Sequence, residues 1–145
     1  MAFEQNPYAV KITLVADSTL DATSQFKFVA PSTAITGTAS ATAITAITQR
    51  PIGVLQNQPR IYTNAAGGTQ GYSEAEVTVS GVCKVVAGGS ISVGSVIGTS
   101  ATGTAVAIVA GTATTQYILG TALSAGVSGD IITVALSVAS AARAV

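Results

Sequence analysis

Period-two alternation of apolar and polar residues runs through most of the patterned chain, and that spacing marks half-buried β-strands. The clearest case is "DIITVALSV" at 130–138. Ile132, Val134, Leu136 and Val138 take one side, Thr133, Ala135 and Ser137 the other, and Gly129-Asp130 starts the element. In "VTVSGVCKVV" (77–86) the alternation places Val77, Val79, Cys83 and Val85 on one face and Thr78, Ser80 and Lys84 on the other, with Gly81 read as a bulge. Gly88-Gly89 then turns the chain into "SISVGSVIG", where Ile91, Val93 and Ile97 share a face, and "TGT" at 102–104 turns it into "AVAIVA".

The first third is less regular. "VKITLVA" (10–16) and "FKFVA" (26–30) read as strands, and the Ala/Thr-rich stretch 32–48 is expected to be extended because its Thr and Ile residues are β-branched. Pro31, Pro51 and Pro59 mark breaks or edge positions. "RIYTNAAGGTQG" (60–71) reads as an exposed loop. A faint echo links "IGVLQN…EAEVTVSGV" to "LGTALSAGVSGDIITVALSV": each has an apolar-Gly strand, a turn, then an alternating strand.

Short strands separated by Gly-rich turns predict a mainly β fold, a small single-domain β-barrel or sandwich spanning 10–145. Residues 1–9, with Pro7 and no periodicity, are expected to form an extended N-terminal arm. The 145-residue length fits one domain. Aromatics make up 5% of the chain and Trp is absent, so the core must be built mainly from Val, Ile, Leu and Ala.

Charge changes the picture of the surface. Charged residues are 8% of the chain, against about 25% in soluble domains, and the formal net charge is zero. Copies of such a chain repel one another poorly, which points to a subunit covered by copies or partners. The competing reading is a polar β-domain kept soluble by its hydroxyls. Lys11, Lys27, Arg50, Arg60, Lys84 and Arg143 are scattered, so no basic stripe suits direct nucleic-acid binding. The longest apolar runs fall far short of the roughly 20 residues of a membrane-crossing helix. The N-terminus lacks a signal-peptide pattern, so cytoplasmic synthesis and assembly are expected.

Catalytic chemistry finds little to use. The absence of His removes the commonest general base and metal ligand together. Cys83 alternates in phase with core valines and reads as a core thiol. Asp17 and Asp21 read as turn and capping residues, because no loop of oxygen ligands surrounds them. Glu74 and Glu76 read as solvent-facing. The spaced glycines lack the "GK[ST]" ending and the βαβ context of phosphate-binding loops and read as turns. No catalytic residue, cofactor or metal is expected. Among the tyrosines, Tyr117 reads as core, whereas Tyr62 and Tyr72 flank the Gly-rich loop, where they could anchor a partner or stack on a sugar.

Two blocks, "RPIGVLQNQP" and "AEVTVSGVCKVVAGGSISVGSVIGTSATGTAV", followed by "YILGTALSAGVSGDIITVALS", together resemble the head decoration, or capsid cement, proteins of tailed bacteriophages. The likeness spans residues 50–137; the first third matches loosely, and 60–71 looks longer than the family's simple form. The resemblance implies a β-rich homotrimer on the outer surface of the expanded virion head, bound to the major capsid protein and stabilising the shell against packaged DNA. Phe3, Pro7 and Tyr8 of the arm, with Arg50, Arg60, Tyr62 and Tyr72, are the candidate capsid or subunit contacts. The arm could add a strand to a capsid sheet edge. Two rivals stand beside this expectation: a tail-tube or fibre subunit, and a glycan-binding module using the Tyr62–Tyr72 loop.

Overall fold

In the computed structural model, which describes residues 9–63, 66, 69–109 and 116–138, the alternating stretch around 77–86 becomes the hub of the fold. It lies in β7 (Glu74–Val86), which pairs with three other strands: β1 (Val10–Ala16), β4 (Gly53–Leu55) and β11 (Ile131–Ser137). The others are β2 (Phe28–Ser32), β3 (Ser40–Ala43), β5 (Ile61–Thr63), β6 (Thr69–Tyr72), β8 (Val96–Thr99), β9 (Ala105–Ala107) and β10 (Gly120–Ala122). Nine of them form one sheet in the order β1-β3-β2-β4-β7-β11-β10-β8-β9, and the extra pairing of β1 with β7 closes the first five into a barrel. Of the two architectures expected, the barrel is therefore the one formed. β11, β10, β8 and β9 continue the sheet away from β7, while β5 and β6 make a separate two-stranded ribbon.

The closed barrel needs residues that alternate between two apolar environments. Inside it lie Ala16, Leu20, Val29, Ala41, Leu55, Ala75 and Val77, so all five strands contribute. The intervening residues Phe28, Ala30 and Val54 point outward into a second core with Cys83, Val85, Ile97, Leu119, Ile132, Val134 and Leu136. β2 and β4 are thus buried on both faces, which is why "FVA" and "GVL" are continuous apolar runs.

Gly81 lets β7 serve both cores. Its φ of +99° lies in the left-handed region, where a side chain would be strained. The β1 pairing shifts beside it, with Val10 opposite Ser80 and Lys11 opposite Thr78. The expected interruption is present, but its consequence differs from the expectation. Val77 belongs to the barrel interior, with half-buried Val79 packed against that cluster, whereas Cys83 and Val85 belong to the second core, so the four do not share a face. Thr78, expected on the polar side, is buried.

Other expectations need correction. Beyond Ser32, where β2 ends, the segment 32–48 forms a strand only at Ser40–Ala43. The strand expected at 26–30 begins at Phe28, because Phe26 turns with φ +62°; its amide donates to the Leu55 carbonyl and its carbonyl accepts from Val86. Residues 92–95 are a turn closed by the Ser95 amide on the Ser92 carbonyl, which leaves Val93 exposed while Ile91 and Ile97 are buried. The loop expected at 60–71 is largely the β5–β6 ribbon. Pro31 sits within β2, paired with Ala41 of β3, but on its other side β4 pairs only with Phe28 and Val29. The missing amide therefore falls where the ladder has ended.

The echo between the two halves has a physical counterpart. A Cβ on Gly53 of β4 would lie 2.4 Å from the Thr78 carbonyl oxygen, and one on Gly120 of β10 would lie 2.2 Å from that of Ala135. In both halves, glycine lets a short strand press against the backbone of the long alternating strand.

Candidate interaction surfaces

The reactive side chains serve the fold. Asp17 is buried at the end of β1, where its carboxylate accepts from the Thr19 amide (2.9 Å) and from the Thr19 and Ser32 hydroxyls (both 2.6 Å). The Thr19 hydroxyl in turn accepts from the Ala43 amide, so one carboxylate ties β1 to β2 and β3. Asp21 caps the 3-10 turn Ala22–Ser24, accepting from the Thr23 amide while Ser24 completes a capping box. The turn and capping roles expected for both aspartates hold. Burial pushes the Cys83 thiol up to about 12, so it stays protonated in the core. Among the described residues, no group of three or more His, Cys, Asp or Glu is placed to hold a metal.

Asp17 carries a pH prediction. Burial pushes its carboxyl up, but the hydrogen bonds from Ser32 and Thr19 outweigh it and hold the group below its ordinary 3.8. A carboxyl depressed in the folded state stabilises fully above the unfolded value, and that contribution is lost as pH falls through the lower folded value. Asp17→Ala is expected to cost about 1–3 kcal/mol at neutral pH by removing the charge-assisted hydrogen bonds from Thr19 and Ser32. A series of melting curves from pH 6 to pH 2 checks it, because the variant should lose less stability on acidification than the parent. Asp21, also depressed by its bonds from Thr23, leaves a residual slope.

The candidate contact residues separate into different places. Arg60 and Tyr62 come together at the base of the β5–β6 ribbon, in an open polar cleft of about 380 Å³ lined also by Asn57, Gln58, Ser73 and Glu74. Tyr72 pairs through its backbone with Ile61 across the ribbon. Arg50 lies elsewhere, exposed on an apolar groove of about 450 Å³ with Ile12, Pro31, Pro51, Ile52, Val79 and Val138. Phe3, Pro7 and Tyr8 fall outside the described residues. Glu76 forms an exposed ion pair with Lys11, whereas Glu74 lines the cleft.

One surface was not anticipated. Val96, Leu123 and Ile131 are exposed at 40%, 48% and 55%. Val96 and Ile131 lie on the outer face of β8 and β11, because their neighbours Ile97 and Ile132 are buried on the core side, and Leu123 directly follows β10 with its amide on the Thr133 carbonyl. Val93 and Val127 are also exposed, in the turns 92–95 and 127–130. Its signal was present in the sequence: Ile131 is the apolar residue out of phase with the core set 132, 134, 136 and 138.

No protein-family model and no curated protein matches the chain. A solved structure does. The fold is similar to the N base of head fiber gp8.5 from bacteriophage phi29. The superposition has a TM-score of 0.62 and covers 90% of this chain and 95% of that one, at 20% sequence identity. The whole barrel-and-sheet architecture is thus common to both chains, while most side chains differ.

Proposed function

We propose that the chain is a structural protein of a bacteriophage virion. It would sit on the outside of the expanded head as a closed homotrimer, bridging neighbouring copies of the major capsid protein. The observation that carries this reading is the likeness in fold, over nearly the full length of both chains, to a protein described as part of a phage head fibre. The 8% charge content and zero net charge agree with a surface made to be covered. The apolar patch of Val96, Leu123 and Ile131 offers copies a common contact.

Attachment by avidity follows from such an assembly. Each subunit contact can be weak, because once one is made the others form at high effective concentration. If the sites exist only on the expanded shell, binding stabilises that state by mass action. Stabilisation against internal DNA pressure is then a consequence of differential affinity and requires no chemistry from the protein.

A fibre subunit is the second reading, favoured specifically by the phi29 comparison. The two differ in symmetry: a cement protein closes, whereas fibre growth is open-ended or rod-like. Light scattering on the purified protein separates them. The cement reading predicts a single species at three times the 14.2 kDa chain mass, reduced to monomer by Ile131→Lys. A concentration-dependent series of elongated species favours the fibre, and a monomer in the parent protein removes the trimer.

A further inference from the structure

We propose that the cleft at the base of the β5–β6 ribbon is a binding site for a neutral glycan. This role stands beside attachment to the head and does not depend on it.

The cleft is a constructed feature of the fold. After Leu55 and Val77 the β4–β7 ladder is interrupted by the Asn57 side chain, whose amide donates to the Glu74 carbonyl at 2.7 Å and whose oxygen accepts from the Glu76 amide at 2.8 Å. The strands rejoin where the Arg60 amide donates to the Ser73 hydroxyl at 2.6 Å and the Ser73 amide donates to the Arg60 carbonyl at 3.1 Å. Gln58 is tied through its amide to Gln25 at 2.9 Å. The floor is therefore fixed by bonds within the chain, and the space of about 380 Å³ falls within the range of small-ligand sites, about 300–1,000 Å³.

Its lining suits a sugar. The Tyr62 side chain is 59% exposed, and the negative face of an aromatic ring attracts the weakly positive C–H groups on one face of a pyranose. Arg60 supplies N–H donors for hydroxyl and acetamido oxygens, and Glu74 supplies an acceptor for hydroxyl and acetamido hydrogens. Among the described residues the ion pair formed is Lys11 with Glu76, so both charged groups of the cleft line it without pairing to each other. One cation and one anion sum to zero, which favours a neutral ligand over a phosphate chain or an acidic polymer.

Titration of the parent protein with tetra-N-acetylchitotetraose, followed by NMR, tests the assignment. Saturable binding with a Kd on the order of 1 mM is expected, given the open and solvated site. Tyr62→Ala should weaken it about tenfold or more, while Tyr62→Phe retains it, because stacking needs the ring and not the hydroxyl. Arg60→Ala should also weaken it. Isomaltotetraose, a neutral glycan without acetamido groups, is titrated in parallel. Absence of saturable binding of both sugars, or indifference to Tyr62→Ala, overturns the proposal. So does a Tyr62→Ala variant that loses attachment to phage heads from a parent that binds no sugar, because the cleft is then a protein contact.

Discussion

Phe28→Ala is expected to lower the unfolding free energy by about 3–5 kcal/mol, the largest loss from any single truncation in this chain. Phe28 is the largest of the fully buried side chains, at 1% exposure, in a core otherwise made of aliphatic residues, Ala and Cys83. Its backbone is held on two sides, by pairing with Val54 and by its amide on the Gly103 carbonyl at 2.7 Å. The barrel wall therefore cannot collapse into the vacated space, and the cavity cost adds to the lost burial. For a domain of this size the loss corresponds to a fall in melting temperature of about 10–15 °C. Thermal and urea unfolding of the variant give the number directly; a loss below about 1 kcal/mol would place Phe28 outside any packed core.

The second large effect comes from adding one carbon. Gly53→Ala would put a methyl 2.4 Å from the Thr78 carbonyl oxygen and 2.5 Å from Cγ1 of Val77, and Gly120→Ala would put one 2.2 Å from the Ala135 carbonyl oxygen. Both obstacles include backbone of the strand that joins the two cores or of its neighbour β11, so relief requires moving a strand. Each change is expected to cost about 1–3 kcal/mol or more, with the Gly53 variant loosening the barrel specifically. Gly89→Ala is the matched control. Nothing lies within 4 Å of its added carbon and its φ is not positive, so it should stay within about 0.5 kcal/mol of the parent. Parallel urea titrations of the three variants decide the matter, and a Gly53 variant as stable as the Gly89 one would contradict the close approach of β4 to β7.

These two predictions also mark what was legible in the sequence. β1 could be read as a strand, and β11 was read in full because its seven residues give the period enough repeats to register; its core set 132, 134, 136 and 138 is all buried. Asp21 was readable as a turn or capping residue, and the structure adds Ser24 to make a capping box. The inversion at Gly81 was not readable in full. The sequence marks an interruption, but the exchange of faces depends on where β1 pairs. Val93 was misplaced because apolar spacing cannot distinguish a strand from a turn that happens to keep phase. The β5–β6 ribbon was missed for the opposite reason, since arms of three and four residues are too short to show a period.

The candidate contacts follow the same logic. Tyr62 and Tyr72, on opposite arms of the ribbon, were visible as residues flanking a Gly-rich segment, but the cleft also needs Asn57, Ser73 and Glu74, and these meet only because the ribbon folds back. Arg50 was grouped with Arg60 by charge and residue type; the fold sends it to an apolar groove instead. The outer patch was overlooked because an out-of-phase apolar residue such as Ile131 carries weight only once the core face is known.

The proposed place of the chain on the virion is tested most directly by sedimentation. Purified protein is mixed with undecorated heads of the parent phage, in expanded and unexpanded form, and the bound fraction is measured against added concentration. Saturable binding to expanded heads alone, at three chains per attachment site, is the predicted result. Failure to sediment with expanded heads, or equal binding to both forms, would contradict a cement protein that recognises the mature shell.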